Sequence, residues 1–122
     1  MPGMRGLILI VATGDGERFR AALTIAAAHA ALGGRARVYC HERAVALLGP
    51  SEDLDVALLA AHGLPGRAAL IATALATGVE IAACQTGLAL AGLAETDLPE
   101  GVETGGLIGL LADLGDDRLV TV

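Results

Sequence analysis

The hydrophobic positions of this chain fall in short bursts separated by small-residue breaks. Leu7-Ile8-Leu9-Ile10-Val11-Ala12 is a continuous apolar run that stops at Thr13-Gly14-Asp15-Gly16. An apolar run without alternation fits a strand buried on both faces of a parallel sheet, and this one is read as the central strand. From Glu17 to Leu32 the residues are mostly strong helix formers, and Gly33-Gly34 supplies a C-terminal stop. At about 100° per residue, Arg20 and Thr24 lie on one side of this helix and Arg18 and His29 nearly opposite. A helix with polar positions on both sides keeps little free surface, which hints at subunit contacts.

Arg35 to Cys40 alternates and carries Val38 and Tyr39, predicting a second strand that places Cys40 at its carboxyl end, with a short helix through Val45 to Leu48 after it. The segment 49–63 is the least regular, with Leu54 to Ala61 open to helix or strand. Pro65 marks a helix start, Arg67 to Thr77 is rich in Ala and Leu, and Gly78 is a natural stop. Val79 to Ala83 predicts another strand. Cys84-Gln85-Thr86-Gly87 follows it and opens a short helical stretch through Leu93. The tail predicts a loop with Pro99 and Gly101, a helix over roughly Thr104 to Leu114, and a last strand from Arg118 to Val122. Strands alternating with helices over 122 residues predict one domain, residues 1–122, built as an α/β three-layer sandwich around a mainly parallel central sheet with right-handed crossovers.

Composition narrows the function classes. Apolar residues make up 54% of the chain and aromatics 2%, so a core can form, but the rings on which single-stranded bases stack are lacking. The formal charge is −6 and the eight basic residues are scattered arginines, which argues against a nucleic-acid partner. The longest apolar runs, Leu7 to Ala12 and Val56 to Ala61, are far below the roughly 20 residues of a membrane helix. No membrane partner and no secretory leader are expected. Two cysteines make no disulfide framework, and a cytoplasmic chain would keep both as thiols.

The candidate chemistry gathers at strand ends. Cys84 is expected at the carboxyl end of a strand and just before a helix, where sites of open α/β sheets concentrate. Unpaired amides and the positive helix end favour an anion there and would leave more of the thiol as nucleophilic thiolate. The competing reading is a buried, inert cysteine. Cys40 is expected at the same sheet edge as either a core cysteine or the second thiol of a pair. His41 and His62 are solvent-facing loop histidines or partners for a Cys84 thiolate. The three histidines show no metal-ligand spacing, so no metal and no cofactor are expected. Gly14 and Asp15 sit in a strand-to-helix turn that lacks the Lys-Ser/Thr ending of a phosphate loop, so they cap a helix and help to shape a pocket. Gln85 and Thr86 flank the thiol. Serine occurs once, at Ser51, which leaves no Ser-His-Asp arrangement to argue.

Several stretches resemble the DsrE/DsrF-like family, which includes sulfur-relay subunits of TusD type. They are the Leu7 to Ala12 strand with its small-residue turn, the alanine-rich helix ending at Gly33, and Arg37-Val38-Tyr39 with Ala44 to Leu48 behind it. The most specific is Gly78-Val79-Glu80-Ile81-Ala82-Ala83-Cys84, followed by Leu90-Ala91-Gly92-Leu93, the segment Gly101 to Leu107, and Asp117-Arg118-Leu119-Val120. The resemblance implies a homo-oligomer, trimer or hexamer, and a cysteine matching Cys84 that carries sulfur as a persulfide between donor and acceptor proteins. Cys40-His41 departs from the family pattern. The function expected is sulfur transfer without an organic cofactor or metal. The alternatives are a non-catalytic oligomer that binds a small ligand or partner at the same edge, and thiol exchange between Cys40 and Cys84.

Overall fold

The computed structural model describes residues 4–51, 53 and 55–122. Five parallel strands form one sheet: β1 (Leu7–Val11), β2 (Ala36–Cys40), β3 (Glu80–Cys84), β4 (Glu103–Gly105) and β5 (Arg118–Thr121). Their order is β4-β3-β2-β1-β5. The central position therefore belongs to β2, not to β1 as the apolar run suggests. β1 is nonetheless flanked on both sides, paired with β2 and β5, and an inner strand covered on both faces carries the same unalternated signature as the central one.

The helices are α1 (Gly16–Ala31), α2 (Val56–Ala61), α3 (Arg67–Thr77), α4 (Gln85–Ala91) and α5 (Leu107–Ala112), with 3₁₀ turns at Glu42–Leu48 and Glu95–Asp97. Local chemistry sets their ends. The Asp15 carboxylate caps α1 by accepting from the Glu17 amide at 2.9 Å and the Arg18 amide at 3.5 Å. Asp53 performs the same service for α3, accepting from the Arg67 amide at 2.5 Å. Gly78 closes α3 in the left-handed conformation at φ 103°. The open stretch 49–63 yields α2 from residue 56 onward; Leu54 lies outside the described residues.

The tail departs from expectation. Where a helix is predicted from Thr104, the chain first pairs Glu103–Gly105 with the carboxyl end of β3 and begins α5 only at Leu107. A strand of three residues with one threonine and no apolar alternation has no sequence signature, and pairing alone holds it.

Three connections, from β1 to β2, β3 and then β4, step in one direction, so right-handed crossovers carry α1, α3 and α4 over one face. The return from β4 to β5 carries only α5 over the other. The first face is the thick one: Leu9 and Val11, Val38 and Cys40, and Ile81 and Ala83 point at Phe19, Leu23, Ala26, Ile71 and Ala74, all buried. Within this chain α1 has a clear inner side and a solvent side that includes Arg18, Thr24 and Ile25. Its free surface is larger than its scattered polar positions suggest, because Arg20 and His29 bond backward into the chain, to the Pro65 and Arg5 carbonyls.

The α5 face is pinned at the amino edge of the sheet. Arg37, 7% exposed, donates to Asp117 at 2.9 Å and to Asp113 at 3.1 Å, while Arg35 bridges Glu80 at 3.0 Å and Asp113 at 3.2 Å. Burying the Arg37 guanidinium is tolerable because two carboxylates and the Asp113 carbonyl meet it. A Cβ on Gly6 would run into the Asp117 carboxylate, so a larger residue there would push Asp117 from its place beside Arg37. No helix among the described residues is long and apolar enough to cross a membrane.

Candidate functional site

Cys84 is the last residue of β3 and the N-cap of α4. Its Sγ accepts two backbone hydrogen bonds, from the Glu42 amide at 2.9 Å and the Gly87 amide at 3.2 Å. One donor comes from the first turn of α4, the other from the 3₁₀ turn after β2. Two N–H groups aimed at one sulfur suit an anion better than a neutral thiol. Gly87 makes this possible: a Cβ on it would collide with the Val45 side chain and the Glu42 carbonyl, so only glycine lets α4 approach the 3₁₀ turn this closely.

Cys84 is 6% exposed and lines a cleft of about 450 Å³. Tyr39 and His41 line one side, Gln85 and Thr86 the rim, and Gly105 to Leu107 the other side. The rings of Tyr39 and His41 lie 6.1 Å apart at 30°, and the His41 Nε2 is 3.6 Å from the Glu42 carboxylate. His41 Nδ1 is buried without a partner among the described residues.

The other thiol has a different fate. The register pairs Tyr39 with Ala82 and Cys40 with Ala83, so the pleat turns Cys40 to the thick face and Tyr39 and Cys84 to the α5 face. Cys40 is 0% exposed. Burial, and after it the charge of Cys84, pushes its thiol up to about 12, so it stays neutral. The two cysteines end adjacent strands at the same sheet edge; of the two readings open for Cys40, its burial fits the core cysteine, and the pleat turns the two side chains to opposite faces of the sheet, which disfavours a dithiol pair.

Gly14 and Asp15 do not join Cys84 either. They line a separate hollow of about 550 Å³ with Glu17, Arg20, Asp53 and Arg67, and the Asp15 carboxylate is spent on capping α1. A third hollow of about 460 Å³ lies between α3 and residues 97–100. Both are larger than the Cys84 cleft and both are lined by Ser51, yet neither holds a cysteine, so thiol chemistry places the candidate site at the smaller one. His62 ends α2, exposed, and is no part of the cleft. Among the described residues no three His, Cys, Asp or Glu side chains gather to hold a metal. Of the residues singled out from sequence, His41, Cys84, Gln85 and Thr86 meet. Tyr39 and Gly105 to Leu107 were missed. The signal for Tyr39 was its parity with Arg37 in an alternating strand.

No family model matches the chain, and no curated protein matches it by sequence. Solved structures do. The protein of unknown function MTH1491 from Methanobacterium thermoautotrophicum superimposes with a TM-score of 0.73 at 15% identity, covering 98% of this chain and 100% of that one. The ychN protein from E. coli gives 0.68 at 22% identity, again over 98% and 100%. The fold is DsrE/DsrF-like. Both likenesses cover 98% of this chain, so the shared fold includes the sheet at whose carboxyl edge Cys84 lies.

Proposed function

We propose that this protein is a sulfur carrier whose Cys84 takes sulfane sulfur as a persulfide and passes it to an acceptor thiol. The observation that carries the reading is the setting of Cys84 Sγ: two backbone amides hold it at a strand-to-helix junction, facing an open cleft, while the other cysteine is sealed in the core. In loading, the Cys84 thiolate attacks the outer sulfur of a donor persulfide. A bond forms between Sγ and that sulfur, the donor's sulfur–sulfur bond breaks, and the donor leaves as a thiolate. Delivery repeats the exchange with an acceptor thiolate, so no electrons are gained or lost overall and neither metal nor organic cofactor is needed. The likeness to solved structures supports the fold that carries this site; the chemistry rests on the site itself.

Assembly belongs to the same reading. The thinly covered face leaves Ile108 and Leu111 of α5 in solvent, and the edge strand β5 leaves Leu119 and Val120 exposed. An uncovered apolar edge strand is a surface that a second copy of the chain can occupy, which supports the homo-oligomer expected from the resemblance.

Intact mass after exposure to a sulfane-sulfur donor tests the carrier role. Gain of one sulfur atom in the wild type and in Cys40→Ala, with none in Cys84→Ser, is the expected result. No adduct on the wild type overturns it and leaves a binding protein at the same edge as the better reading. The same spectra under native conditions count the subunits.

A further inference from the structure

Tyr39 is the only tyrosine in the chain and is 2% exposed, so its hydroxyl has to find a partner inside the protein. The acceptor it has, the Gly105 carbonyl, is 3.5 Å away. That is long for a hydroxyl bond to oxygen, which centres near about 2.7–2.8 Å. The register puts Tyr39 on the same sheet face as Cys84, on the neighbouring strand, and both side chains line one cleft. Burial pushes the hydroxyl up to about 12, and the charge of the nearby Cys84 sulfur adds to the push. Tyr39 therefore keeps its proton across the range in which thiols react, and can donate but not act as a base.

We propose that the Tyr39 hydroxyl is a third hydrogen-bond donor to the Cys84 sulfur, beside the Glu42 and Gly87 amides, turning from the distant Gly105 carbonyl to the sulfur when that sulfur is anionic. Its part in sulfur delivery rests on the carrier reading. There an acceptor thiolate attacks the outer sulfur, the bond from that sulfur to Cys84 Sγ breaks, and the electron pair stays on Sγ. The hydroxyl and the two amides receive the charge that arrives there, and no proton changes hands. Before delivery the same hydroxyl is the side chain placed to hold a persulfide anion against the Gly105 wall of the cleft.

The test does not depend on sulfur transfer. The rate of Cys84 alkylation by iodoacetamide is measured against pH in Cys40→Ala and in Cys40→Ala/Tyr39→Phe. A hydrogen bond to the charged sulfur stabilises the thiolate, and a less stabilised thiolate is scarcer but more nucleophilic. Loss of the hydroxyl then slows alkylation at neutral pH by roughly three- to tenfold and raises the plateau at high pH, so the two profiles cross. His41, Glu42 and the buried ring of Tyr39 are present in both proteins, and the comparison isolates the hydroxyl. Profiles that superimpose, or that differ by one factor at every pH, overturn the assignment. Should Tyr39→Phe fail to fold, the ¹³Cζ signal of the single tyrosine in Cys40→Ala decides. It must move as the Cys84 thiol titrates and stay fixed when Cys84 is replaced by Ala; a signal that ignores Cys84 overturns the proposal. If the profiles cross while the wild type takes up no sulfur, the carrier reading falls and the Tyr39 assignment stands; the reverse pair of results separates them the other way.

Discussion

The two faces of the sheet are covered unequally, and each holds one cysteine. Over one face lie α1, α3 and α4, and there Cys40 has no contact with solvent and a thiol pushed far into the neutral range. Over the other lies only α5, six residues long, and there Cys84 faces a cleft with Tyr39 and His41. The asymmetry follows from strand order. Three successive steps in one direction stack their helices on one side, and the single return step leaves one helix for the other. Two residues of the same type, on adjacent strands at the same sheet edge, differ in chemical role because the pleat turns them apart.

The largest expected consequence is in thiol reactivity. Iodoacetamide at about pH 8 labels one thiol of the folded protein, Cys84, and labels Cys40 only after denaturation, since the thiolate is the nucleophile and burial denies it to Cys40. Peptide mapping of the labelled protein checks this. Equal labelling of both cysteines in the native state would erase the contrast between the faces.

Stability should divide in the same way. Phe19→Ala removes a fully buried ring from the thick face and is expected to cost about 3–5 kcal/mol, whereas Leu110→Ala, half-buried under the thin face, should cost no more than about 1–2 kcal/mol. Urea unfolding midpoints at unchanged slope measure both. Comparable losses would show that α5 is as firmly packed as α1.

How much of this was legible in the sequence depended on how local the signal was. The apolar run Leu7 to Val11, the stop at Gly78 and the strand-to-helix junction at Cys84 are written in consecutive residues, and each was found where expected. The position of β1 within the sheet was not, because any strand covered on both faces gives the same run. Strand β4 escaped because three residues, Glu103 to Gly105, carry no period and owe their form to β3. Cys40 could be placed at the right edge but not on the right face relative to Cys84. That relation needs the register between β2 and β3, which no stretch of either strand encodes alone. Gly14 and Asp15 occupy the expected turn, yet the site lies two strands away, since the order β3-β2-β1 separates the end of β1 from the end of β3.

The smallest effect tests the seal around Cys40 without touching its reactivity. The folded state holds this proton up to about 12, against an ordinary value of 9.0, and Tyr39 is raised from 10.0 to about 12, chiefly by burial. Above pH 9 the unfolded chain gives up protons that the folded protein retains, so the unfolded state binds fewer protons and stability falls as pH rises. Below pH 9 these groups bind the same number of protons in both states and contribute no slope. At pH 10 the loss from Cys40 alone is roughly 1–1.5 kcal/mol, a pH unit being worth about 1.4 kcal/mol once the unfolded thiol is ionised. Cys40→Ala removes that part of the slope and leaves the part due to Tyr39, which begins about one unit higher. Urea midpoints of the two proteins between about pH 7 and pH 10.5 should therefore diverge from parallel only above pH 9, with the wild type losing ground. Parallel curves over the whole range would mean that the Cys40 thiol ionises as readily folded as unfolded, and that the thick face is open to water at its carboxyl edge.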